Sequence, residues 1–218
     1  MIQEVEGPTR GWWYAKFRIP WPKNTKPSWH IDLLLAHKIL LPILNQYKND
    51  LILWRFHRRA NRRDEAGHEF QFIFYSSSGN AQKIYNSLKS DKLLKEMKNV
   101  GEIIQDSYDE PNSITKPNVE DTSDPGTPPI RKTWPYFIMG VCQMWLELIT
   151  EVAKDTPAEQ EPSTLQGILE FYQQVNETIN QTWQEEGCHH FLHHLNAIFG
   201  YEPIMVYPRM VYGALMSF

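Results

Sequence analysis

The stretch LILWRFHRRANRRDEAGHEFQFIFYS, Leu51 to Ser76, decides the fold. Its first part, Leu51 to Arg58, sets Ile52, Trp54 and Phe56 in alternation with Leu53, Arg55 and His57. A period of two is what a strand buried on one face requires. Its last part, His68 to Tyr75, repeats the pattern with Phe70, Phe72 and Phe74 on one face. The charged interval between them reads as a loop joining two neighbouring strands.

Toward the N-terminus, Trp12 to Ile19 is a third alternating run. Trp13, Ala15, Phe17 and Ile19 share one face, and Trp12, Tyr14, Lys16 and Arg18 the other. A turn with Pro20, Pro22 and Pro27 then leads to Ser28, a good N-cap. The helix it opens runs to about Lys48, with Ile31, Leu34, Leu35 and Leu41 near one face and a kink expected at Pro42. Toward the C-terminus, Ser76 to Asn80 cap a helix carrying Ile84, Tyr85, Leu88 and Met97. Gly101 to Ser107 reads as a short fourth strand. The order β-α-β-β-α-β over residues 1–107 predicts an α+β, ferredoxin-like sandwich, with one antiparallel sheet and two helices on one face.

Residues 108–132 are acidic, rich in proline and poor in apolar residues, and read as a linker or loop. Residues 133–218 read as a helical segment. Thr133 is the expected cap of a helix to about Lys154. Within it Tyr136 to Val152 is apolar but broken by Gln143, Glu147, Thr150 and Glu151, which fits a buried helix better than a bilayer span. Ser163 and Gln166 form a capping-box pattern before a long amphipathic helix. A last helix, Cys188 to Phe199, stops at Gly200, and Ile204 to Phe218 is an apolar tail.

Eight Trp, ten Tyr and ten Phe in 218 residues exclude a disordered chain. Two cysteines, Cys142 and Cys188, exclude a disulfide framework and a four-cysteine zinc site. The opening MIQEVEGPTRGWW lacks the basic, then apolar, regions of a secretory signal. A cytoplasmic, reduced protein is therefore expected, without a membrane partner.

Charge is strongly polarised. Arg10 to Arg63 contains twelve Lys or Arg against Asp32 and Asp50, whereas Asp155 to Pro208 contains eight acids and no Lys or Arg. One reading is a basic surface for a peptide or RNA, built from Arg55, Arg58, Arg59, Arg62, Arg63, Lys16 and Arg18, with Tyr14 and His57 on the same open face. The other is that the acidic helices dock on that basic face, within one chain or across a homodimer; it is the favoured one.

Two clusters bear chemistry. His57, Glu69 and Arg55 lie on neighbouring strands and form a candidate acid–base site. In CHHFLHHL, His189 with His193 and His190 with His194 stand four apart, the spacing that lets two imidazoles share an ion on a helix face. Glu185 or Glu186 supplies an oxygen nearby, so zinc is the one cofactor suggested; otherwise none is expected. No HExxH pattern, phosphate-binding glycine loop or nucleophile elbow is present. His68 reads as a capping or surface histidine, and Ser76 to Asn80 as a simple cap.

From LLLAHKILLPILNQY through LILWRFHRRANRRDEAGHEFQFIFYS to LLKEMKNVGEIIQDSYDE, the order and spacing resemble the C-terminal domain of lantibiotic dehydratases and thiopeptide-type bacteriocin biosynthesis proteins. The likeness covers roughly residues 11–110, with Trp54, Phe56, Arg58 and Glu110 on the family pattern. It implies work on ribosomally made peptides, by glutamate elimination or aminoacyl-tRNA-dependent steps. The leading expectation is a binding or accessory protein with a basic groove for a peptide or tRNA-like partner. An enzyme using His57 and Glu69, and a metal-binding protein using the C-terminal histidines, are the alternatives.

Overall fold

A computed structural model describes residues 9–61, 67–123, 126–157 and 163–201. It is a mixed α+β structure. Strands β1 (Arg10–Ile19), β2 (Leu53–Asn61), β3 (Gly67–Ser77) and β4 (Gln105–Tyr108) form one sheet in the order β2-β3-β1-β4, with every neighbouring pair antiparallel. The register sets Trp13, Ala15 and Phe17 opposite Phe74, Phe72 and Phe70, and Trp54 and Phe56 opposite Phe74 and Phe72. The period of two thus gathers the aromatic side chains of three strands on one face. All seven of those aromatic residues are buried, Phe17, Phe70, Phe72 and Phe74 completely.

The expected first helix forms in three pieces: α1 (Trp29–Leu34), a π-helical turn (Leu35–Leu40) and α2 (Leu41–Gln46). Pro42 cannot donate to the carbonyl four residues back, and the ladder widens just before it, with Leu41 N–H donating to Ala36 O. The expected second helix is two, α3 (Ser78–Ser90) and α4 (Lys92–Val100). Asp91 ends one and caps the other, its carboxylate accepting the Leu94 N–H at 2.8 Å. Gly101, with φ +85°, closes α4 in the left-handed conformation. Glu102 and Ile103 still donate to Met97 O, so the chain first bonds β1 at Ile104, whose N–H donates to Arg18 O, and β4 begins at Gln105, later than Gly101.

The segment after β4 is not a free linker. Trp12 Nε1 donates to Asn118 O and Val119 O, Tyr75 Oη to Pro117 O, and Trp12 N to Lys116 O. A Cβ on Gly11 would sit 2.5 Å from Ile114 Cγ2, so the strap lies as close to β1 as a missing side chain permits. It ends in a 3-10 turn (Val119–Thr122).

Helix α5 (Pro128–Asp155) starts earlier than Thr133, because Pro128 and Pro129 suit the first turn, where N–H groups have no partner. Pro135 leaves the Arg131 carbonyl without its helical donor, and the Ser123 hydroxyl donates to it at 2.7 Å. Where burial was expected, α5 is largely exposed, with 17% of its most apolar window inside. Among the described helices it alone is long and apolar enough to span a bilayer, by length and composition only.

Helix α5 shields the free edge of β2. There Phe56 N–H donates to Cys142 Sγ at 3.2 Å, and the thiol faces Phe56 O at 3.7 Å. A cysteine thus satisfies the strand edge as a neighbouring strand would. Helix α6 (Leu165–Gly187) is capped by Thr164, not Ser163, and packs on α1, α5 and α4. Its Tyr172, Val175 and Ile179 and α5's Leu146 and Ile149 join the hydrophobic cluster of the sheet. A second π turn (Cys188–His193) and α7 (His194–Ile198) follow, and Gly200 stops the helix at φ +71°. The expected apolar tail lies outside the described residues.

Candidate functional site

The sheet's two faces hold two different polar sites. On the helix-covered face the alternation of β2 and β3 continues past its aromatic residues to Arg58, which follows Trp54 and Phe56, and to His68, which precedes Phe70. Both point toward α1, where Asp32 is completely buried. Asp32 Oδ2 accepts from Arg58 Nε at 2.8 Å, and Oδ1 from His68 Nε2 at 3.0 Å. The Arg58 guanidinium lies between two indoles, 4.8 Å from the Trp29 ring and 4.9 Å from that of Trp145, and also donates to Trp29 O. A partly desolvated cation between aromatic faces gains about 2 kcal/mol. His68 is fully buried, correcting its reading as a surface residue, and its Nδ1 has no hydrogen-bond partner. His30, next to this network in sequence, is held below the usual histidine range by burial, with Asp32 opposing and His68 adding to the shift. The network ties α1, β2, β3 and α5 together.

The opposite face reads in rows across three strands. Leu53, Tyr75 and Trp12 form one row; Arg55, Ile73 and Tyr14 the next; then His57, Gln71 and Lys16; then Arg59, Glu69 and Arg18. Ser107 and Gln105 extend the last two rows through β4. The strap covers the aromatic half. Arg55 donates to Thr122 O at 3.1 Å, Lys116 donates to Tyr14 Oη at 2.9 Å, and Lys116 stands 4.3 Å from the Tyr14 ring centre. The remaining half carries Lys16, Arg18, Arg59 and exposed His57 around Glu69.

The expected arginine cluster is therefore divided. Arg58 serves the interior, Arg55 holds the strap, Arg59 joins Lys16 and Arg18 on the open half, and Arg62 and Arg63 lie outside the described residues. The acid–base trio is likewise separated by role. Gln71 stands directly opposite His57 and donates to the Glu69 carboxylate, while Glu69 stands opposite Arg59 and Arg18. His57 is exposed, which withholds the desolvation that tunes an acid–base catalyst. Within the described chain the acidic α6 does not dock on the basic face but packs against α1, α4 and α5.

Two smaller features lie apart from the sheet faces. Between α2, the start of β2 and α5, Leu41, Leu44, Leu51, Trp54 and Leu146 floor a groove of about 150 Å³. Small-molecule sites are nearer 300–1,000 Å³, so this groove accommodates a side chain at most. Across the C-terminal π turn and the start of α7 the ligand nitrogens of His189, His190 and His194 lie within 4.8 Å of one another, and Glu186 Oε2 is 3.2 Å from His190 Nε2.

The buried network had a readable signal. Arg58 and His68 each continue a period of two that is otherwise apolar, and Asp32 falls between Ile31 and Leu33 in an apolar helix. Trp145, by contrast, comes from a helix whose docking no local pattern reveals. No protein-family model, curated protein or solved structure matches the chain.

Proposed function

We propose that the protein is a binding module whose open half-sheet holds an acidic peptide segment, and that its core is of the ferredoxin-like type. The order β2-β3-β1-β4 supports the second part, with α1 and α2 between β1 and β2 and with α3 and α4 between β3 and β4. The observation that carries the first part is the two-row patch of Lys16, Arg18, Arg59 and His57. Lys16, Arg18 and Arg59 stand there around the Glu69 carboxylate.

The same geometry favours peptide over single-stranded RNA. Nucleic-acid platforms of this kind need aromatic faces for the bases. Here Trp12, Tyr14 and Tyr75 are all engaged by the strap. What remains offers charge and hydrogen bonds, which suit carboxylates. A peptide partner also agrees with the resemblance to proteins that act on ribosomally made peptides.

The test is fluorescence anisotropy with a glutamate-rich peptide and, separately, a uridine-rich oligonucleotide. Peptide binding is expected at about 0.01 M salt and its loss at about 1 M, as the screening length falls from about 30 Å to about 3 Å. Oligonucleotide binding that is tighter than peptide binding and survives high salt would contradict the reading.

A further inference from the structure

We propose that the C-terminal π turn is a three-histidine site for a divalent transition-metal ion of the zinc class, made by His189, His190 and His194. In an α-helix residues four apart are stacked, which would pair His189 with His193 and His190 with His194 and leave two separate couples. The π turn over Cys188–His193 adds an approach five residues apart while His189 stays stacked on His193 at 5.4 Å. His189 therefore approaches His194 while His190 keeps its own approach to His194. The donor nitrogens of these three lie within 4.8 Å of one another. The ring centroids of His189 are 5.0 Å from those of His190 and 5.6 Å from those of His194.

A tetrahedral zinc ion with bonds of about 2.1 Å needs its nitrogens about 3.4 Å apart. All three side chains are exposed, so small rotations close the difference without disturbing a core. Imidazole is the ligand that suits zinc, nickel and copper, and calcium and magnesium prefer oxygen. Glu186 supplies the supporting contact, its carboxylate 3.2 Å from His190 Nε2. That arrangement orients a ligating imidazole whose other nitrogen binds the ion. His193 is left out of the triple; its ring stacks on His189 at 5.4 Å and lies 5.8 Å from Tyr201. Three protein ligands leave a fourth position for water or a further ligand.

The experiment is equilibrium dialysis of the full chain, prepared without a histidine tag, against Zn²⁺ alone, with metal counted by mass spectrometry. One Zn²⁺ per chain is expected. His190→Ala and His194→Ala should each abolish stoichiometric binding, and Glu186→Gln should weaken it about tenfold or more. His193→Ala should keep one ion with affinity within about twofold, because that residue lies outside the triple. Failure to bind one equivalent would overturn the proposal. So would equal loss with His193→Ala, which is the behaviour of two independent α-helical pairs.

Discussion

Arg58 and Arg59 are neighbours in the chain and do opposite things. Arg58 turns to the helix-covered face, where a buried carboxylate and two indoles hold it. Arg59 turns to the open face, in one row with Glu69 and Arg18. Nothing in their side chains differs; the strand's alternation assigns one to folding and the other to recognition. The lesson extends to the whole sheet. The covered face concentrates charge where water is excluded and each group must be partnered. The open face spreads charge where water screens it and single groups contribute little to stability.

The sharpest way to break this comparison is to remove the carboxylate at the centre of the buried network. Asp32→Ala leaves Arg58 and His68 facing an apolar site, a change that costs about 3–5 kcal/mol. For a chain of this size that lowers the unfolding midpoint by roughly 6–20 °C, measurable by calorimetry. A drop below about 1 kcal/mol would mean that the network is not buried as described.

Acid should destabilise the protein through the covered side. His37 is held below the usual histidine range by burial, with Lys38 and Lys154 adding to it, and its Nδ1 lies 2.6 Å from Tyr172 Oη. His30 is shifted the same way. With the folded values below the unfolded ones, the unfolded chain binds more protons as pH falls through about 6.5. Stability is then full above that pH and declines below it. Asp106 extends the decline to lower pH, below about 4: burial alone would raise it, but hydrogen bonds from Lys98 and Tyr108 prevail and lower it. Melting curves from pH about 8 to about 5 should show a falling midpoint, less steep in His37→Phe.

Smaller effects belong to the open face. Arg59→Ala should weaken binding of a glutamate-rich peptide about two- to fivefold at low salt, with no difference at high salt. An unchanged affinity at low salt would remove Arg59 from the patch. The thiols should divide in the same way as the arginines. Burial pushes the Cys142 thiol up, with the Phe56 backbone contact and Arg55 opposing, whereas Cys188 is exposed. A maleimide should label Cys188 and spare Cys142 in the folded protein, read by mass spectrometry.

How much was legible in the sequence follows from the range of the forces involved. The three long strands are readable because Trp13, Phe56 and Phe72 belong to strict local alternations. The π turn before Pro42 is a local steric effect, and its kink was legible even though its form was not. The strap escaped because its contacts are nonlocal: Trp12 reaches Asn118 and Val119 through main-chain carbonyls that carry no residue signature. The late start of β4 has a similar cause, since Ile103 is retained by Met97 O after Gly101 has ended the helix. At the candidate site, Lys16 and Arg18 lay on one predicted face, whereas His68 read as a capping or surface residue although it continues an otherwise apolar alternation. That Asp32 and Arg58 meet it in space is set by contacts distant in the chain, which no local pattern displays.

The measurement that goes most directly to the division between faces is denaturant unfolding of Arg58→Ala and Arg59→Ala side by side. Arg58→Ala should lose about 3–5 kcal/mol, because buried Asp32 loses its guanidinium and keeps only the His68 contact. Half-buried Arg59, on the water-facing side of the sheet, should lose no more than about 1 kcal/mol as Arg59→Ala. Equal losses in the two variants would contradict the division of roles that the strand's alternation imposes.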